Sequence, residues 1–128
     1  MIVLNVPVPK IEEEWGYYQY LNRCLEFSQK DKCCFNLHCS ITKLLIIKPN
    51  YSTEYVAHEG HEETIYVLNG TGEVTLCDIT IPLPTGMCIE VGCLDKHSIK
   101  NIGRGDLEVL EIWVPAGKCI LSEDDILN

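Results

Sequence analysis

Along this chain the apolar residues come in short alternating runs, and no stretch repeats them at the spacing of a long amphipathic helix. The strongest run is Ile41-Thr42-Lys43-Leu44-Leu45-Ile46-Ile47, closed by the turn signal Pro49-Asn50. Further strands are expected over 53–58, 64–68, 73–77, 79–81, 88–91, 97–101 and 107–114. Glu59-Gly60 and Asn69-Gly70-Thr71-Gly72 punctuate them as turns. Upstream, the aromatic run Trp15 to Leu21 reads as a strand, and residues 26–32 as a polar loop. The alternating Ile2-Leu4-Val6, broken by Pro7 and Pro9, reads as an edge strand or arm. Many short strands separated by Gly and Pro turns predict an all-β sandwich or barrel.

The 128 residues predict one domain. Residues 1–14 form the arm, 40–114 the barrel core and 115–128 a tail. The formal net charge of -9 disfavours nucleic acid and anionic membrane surfaces, which recruit clustered Lys and Arg. No apolar run approaches the ~20 residues of a membrane helix, and no signal peptide is evident. The eight cysteines contain no paired C-x-x-C knuckle, so they are expected to be buried free thiols in a reducing, cytoplasmic setting.

Candidate chemistry concentrates between His58 and Gly70, where two histidines and three carboxylates precede an apolar strand. Alternate residues of a strand share a face. A tight hairpin after His58 would set it beside Glu63, and a later strand opening at His97 would complete a group of two imidazoles and one carboxylate. That set, with open positions, suits Zn, Fe, Mn or Ni. His61 is expected in an exposed turn, with a secondary possibility as an alternative ligand. Glu59 and Glu62 are expected to be solvated, and His38 to be structural. Lys43 and Lys100 are the candidate substrate-binding cations, with Lys96 and Arg104 as further positive charge near His97.

The spacing of Glu63 and Gly70, with His58 ahead, resembles the first motif of the cupin superfamily, and Gly86, His97 and Asn101 resemble its second motif. The likeness runs from Lys43 to Val114. It departs at Val56, where the first motif has a ligand, and at Gly92 and Leu94, where the second has Pro and Gly. Within that superfamily the closest likeness is to the type II phosphomannose isomerase domain. Trp15-Gly16, Thr42-Lys43, Lys48-Pro49-Asn50, the strand 107–112 and the tail Ser122-Glu123-Asp124-Asp125-Ile126 carry it. The resemblance implies a double-stranded β-helix, or jelly-roll barrel, with one divalent metal on His58, Glu63 and His97. It further implies aldose–ketose isomerisation of a sugar or sugar phosphate, and a homodimer. A non-haem iron oxygenase and a non-catalytic module binding a sugar or carboxylate are the alternatives.

Overall fold

The computed structural model describes residues 8–21 and 40–115, and every regular element among them is a β-strand. In chain order these are β1 (Ile11–Glu13), β2 (Gly16–Tyr20), β3 (Ile41–Ile47), β4 (His61–Asn69), β5 (Thr71–Leu76), β6 (Ile79–Pro84), β7 (Cys88–Val91), β8 (His97–Asn101) and β9 (Leu107–Pro115). They build two antiparallel sheets, one ordered β1-β2-β3-β9-β4-β7 and the other β6-β5-β8. The all-β jelly-roll fold expected from the sequence is the fold observed. No helix among the described residues is long and apolar enough to cross a membrane.

One alternation generates both core and site. In β9 the inward residues are Leu107, Val109, Glu111 and Trp113; in β4 they are His61, Glu63, Ile65 and Val67; in β8 they are His97, Ile99 and Asn101. The apolar members meet Ile47, Val74 and Leu83 in a fully buried core. At the other end of the same strands the inward positions turn polar. Register fixes who meets whom there: Glu63 pairs with Trp113, and Glu111 lies between Lys43 and Ile65.

Residues 53–58 do not form the expected strand, nor a hairpin with β4. Both edges of β4 are taken by β7 and β9. The stretch lies instead along β8 through two isolated bridges, Ser52 to Lys100 and Val56 to His97. Asn101 N–H donates to the Tyr51 carbonyl at 3.0 Å and Thr53 N–H to that of Ile99 at 2.9 Å. Val56 and His97 exchange both bonds, at 3.1 and 3.0 Å.

Asn101 is wholly buried and structural. Its amide donates to the carbonyls of Ile47 and Gly105, both at 2.8 Å, and accepts from Gly103 N–H at 2.9 Å. It thereby ties β8 to β3 across the two sheets. Gly16 is obligatory for another reason: a Cβ there would lie 1.9 Å from the Ile46 carbonyl oxygen, and its φ is +151°.

The cysteines depart from expectation. Cys77 and Cys88 are exposed free thiols, and Cys93 is disulfide-bonded. None of the three acts as a buried free thiol, which removes the support they lent to a reducing compartment. Of the expected arm over 1–14, residues 1–7 lie outside the described residues and Ile11–Glu13 forms β1, paired with β2; the loop 26–32, His38 and the acidic tail also lie outside them.

Candidate metal centre

Three side chains from three chain segments converge at the polar end of the sandwich. His58 comes from the stretch along β8, Glu63 from β4 in the larger sheet, and His97 from the first position of β8. One ligand atom from each lies within 4.8 Å of the others. Glu63 and His97 are 3% and 4% exposed, and Nε2 of His97 contacts Oε1 of Glu63 directly. The Nδ1 of His97 lies 2.9 Å from the Asp95 carbonyl, which accepts its proton and leaves Nε2 facing Glu63. The His58 ring is tilted against that of Trp113, with centroids 4.3 Å apart, and its centroid lies 5.3 Å from that of His97.

Charge settles the protonation pattern. Burial, only partly offset by the Glu63 carboxylate, pushes His58 below its usual value, so its imidazole is neutral. Burial would depress His97 too, but its hydrogen bond and proximity to Glu63 prevail and raise it. Burial alone would raise Glu63, yet hydrogen bonds from His97 and Glu111 hold it below the carboxylate range. Glu111 moves the other way: burial and the adjacent Glu63 charge push it up to about 8. Two buried carboxyls side by side therefore share a single negative charge, with the proton on Glu111.

Glu111 was not singled out from the sequence. Its signal was the parity of Leu107, Val109, Glu111 and Trp113, which places a carboxyl in an otherwise apolar inward row. Lys43, on the inward face of β3, and Val56, bridged to His97, line the cavity. The Lys43 ammonium lies 4.5 Å from the ring centre of Trp113 and 4.7 Å from that of Tyr18.

Other expectations need correction. Lys100 is exposed on the opposite face of β8, because it is one residue out of phase with Ile99 and Asn101. Lys96 lies over Tyr55, and Arg104 is exposed in a turn; neither lines the cavity. His61 is the first residue of β4 and only 7% exposed, not in an exposed turn. Its Nδ1 meets the Glu59 carbonyl at 3.1 Å, and it stands outside the three-residue group. Glu59 and Glu62 are exposed, as expected.

The donor set fits a divalent ion. A neutral imidazole, an ionised carboxylate and a second imidazole oriented by a backbone carbonyl are what such an ion takes. An ion held by all three would replace the direct contact between His97 and Glu63. The cupin-domain family model matches residues 43–114, the stretch that holds all three donors. The chain belongs to the cupin family.

Solved cupin relatives agree in fold. The cupin domain of Cnp3 from Schizosaccharomyces pombe superposes with a TM-score of 0.68 at 14% identity, covering 84% of this chain and 69% of that one. A predicted oxalate decarboxylase from Thermotoga maritima gives 0.69 at 21%, covering 90% and 99%. A protein assigned as a sugar phosphate isomerase, from Acidithiobacillus ferrooxidans, gives 0.57 at 27%, covering 77% of this chain and 59% of that one. No curated protein matches the chain in sequence.

Two of the three departures from the cupin motifs, Val56 and Leu94, acquire physical content. Val56 lines the cavity beside His58 and His97, so the absent ligand leaves an apolar wall at the site. Leu94 has a φ of +69°, the left-handed region that the motif's glycine adopts without cost. Its N–H donates to the His58 carbonyl at 3.1 Å, so the strained residue helps hold the histidine segment in place.

Proposed function

We propose that this cupin holds one divalent metal ion on His58, Glu63 and His97 and acts on a small sugar or sugar phosphate by aldose–ketose isomerisation. The observation that carries the reading is the convergence of these three donors with Glu111 and Lys43 around one cavity of about 200 Å³. That volume lies below the ~300–1,000 Å³ typical of drug-sized ligands and suits a small one. Support for the sugar class comes from the likeness to type II phosphomannose isomerases and from the relative assigned as a sugar phosphate isomerase.

A bound ion would polarise a substrate carbonyl and stabilise the charge that develops on its oxygen. The chain's own residues supply the remainder. Isomerisation moves a proton between neighbouring carbons, and Glu111 is a cavity-lining carboxyl whose proton is held near neutrality. Lys43, fixed over Trp113 and Tyr18, is placed to orient a substrate oxygen. His97 must lose its proton when a metal enters, so loading should release protons and weaken as pH falls.

The test is elemental analysis of the purified protein, followed by metal titration of alanine variants. Alanine at His58, Glu63 or His97 is expected to lower metal affinity at least tenfold with the fold intact. Full metal retention in any of the three variants would remove that residue from the set. Aldose–ketose interconversion by the loaded protein, lost in Glu111→Gln, checks the reaction. Two imidazoles and one carboxylate with open positions equally describe a non-haem iron oxygenase, and iron as the purified metal with oxygen uptake would favour that reading. We also propose a homodimer, as cupin membership and the apolar arm suggest. A monomer at micromolar concentration in sedimentation would refute it.

A further inference from the structure

The cavity is electrically divided. Its rim carries Glu13 and Glu54, both exposed. Its depth carries Lys43 beside the two histidines, where the bound ion of the preceding section would add further positive charge. Lys43 is the one lysine or arginine among the described lining residues, and its charge is already engaged by the rings of Trp113 and Tyr18. Arg104, the one arginine among the described residues, is in a turn away from the cavity. The lining is also aromatic: Trp15 and Tyr18 stack with centroids 6.2 Å apart, and Trp113 lines the same cavity.

These features select a ligand by exclusion. A phosphate only accepts hydrogen bonds at neutral pH, and it would meet two carboxylates at the entrance with no arginine among the described lining residues to receive it. An ammonium only donates, which suits the rim but opposes Lys43 and the ion. A hydroxyl does both, donating to Glu13 and Glu54 and offering its lone pairs to the depth. The apolar C–H face of a sugar ring matches aromatic walls. We infer that the cavity takes an uncharged, hydroxyl-rich ligand, an unphosphorylated sugar or polyol, in preference to a sugar phosphate. The inference deepens the proposed function and rests on it for the charge at depth.

Both tryptophans of the chain line the cavity, so intrinsic fluorescence reports its occupation. The experiment titrates the full-length metal-loaded protein with D-mannose and D-fructose, with their 6-phosphates, and with D-glucosamine. The sugars are expected to bind at least tenfold more tightly than the 6-phosphates at low ionic strength, the gap narrowing with salt as the rim charges are screened. Glu13→Gln combined with Glu54→Gln should strengthen 6-phosphate binding about tenfold while leaving the sugars unimproved. Equal or tighter binding of the 6-phosphates, tenfold tighter binding of glucosamine than mannose, or no binding of any sugar would overturn the inference. The same titrations on metal-stripped protein separate the two proposals. A protein that proves unable to hold metal yet keeps sugar over sugar phosphate refutes the metal site alone. One that holds metal and prefers phosphate refutes the ligand class alone.

Discussion

Val56 exchanges two backbone hydrogen bonds with His97 and lines the same cavity, so a donor side chain at this position could join His58, Glu63 and His97 in the proposed metal site. Val56→His is expected to tighten metal binding tenfold or more, which requires only about 1.4 kcal/mol. Val56→Gln should do so more weakly, through its amide oxygen. Dissociation constants for the three proteins decide it, and no gain in the histidine variant would show that position 56 cannot reach the ion. Leu94 offers a second test at this scale. Left-handed backbone costs a leucine roughly 1–2 kcal/mol, partly balanced by the extra unfolded freedom of glycine. Leu94→Gly should therefore stabilise the metal-free protein by about 0.5–1 kcal/mol in urea unfolding, and destabilisation would show that its side-chain packing outweighs the strain. His58, Glu63 and His97 could be read from spacing because motif intervals are local. Glu111 could not, since a lone carboxyl in a closing strand becomes notable only when another strand brings Glu63 beside it.

Strands β7 and β8 fall where the sequence places them, because short alternating runs bounded by turn residues carry their own boundaries. Which edge each strand chooses is a different matter. The stretch 53–58 alternates like a strand, but pairing depends on which neighbours remain free, and β4 had none to offer. The local pattern is silent on that choice. Within β8, Asn101 is expected to matter for the fold and not for the ion. Asn101→Ala leaves the buried carbonyl of Ile47 and the part-buried one of Gly105 without their donor, at a cost of about 2–3 kcal/mol. Urea unfolding should show that loss while metal affinity, measured on the folded variant, changes less than twofold. Gly16→Ala should be harsher, because the clash is with backbone rather than with a side chain that can swing aside.

For the molecule as a whole, the buried cluster makes stability depend on pH. The raised groups, Glu111 and His97, bind protons more tightly folded than unfolded, so their contribution is present at low pH and lost as pH climbs through their folded values. For Glu111 that window runs from the carboxylate range to about 8. His58 is depressed and works the other way near its usual value, and Glu63 loses its contribution only in acid. Two groups against one leave a net fall. The melting temperature of metal-free protein should decline between about pH 6 and pH 8.5, and a saturating divalent ion should raise and flatten the curve. A melting temperature that rises over that interval without metal would show that the carboxyl pair does not retain its proton.

The two ends of β8 are fastened to the larger sheet by different means. At one end Asn101 holds a backbone carbonyl of β3 through an amide whose bonds do not change with pH. At the other His97 holds Glu63 of β4 through a contact that depends on a proton or a cation. The strand is thus hinged at one end and latched at the other, and slow breathing of the sandwich should start at the latch. Amide exchange at His97, whose N–H bonds to Val56, should outpace that at Asn101, whose N–H bonds to Tyr51. Metal should close most of that difference, so the ion would set not only what the cupin can do but how long its two sheets stay shut.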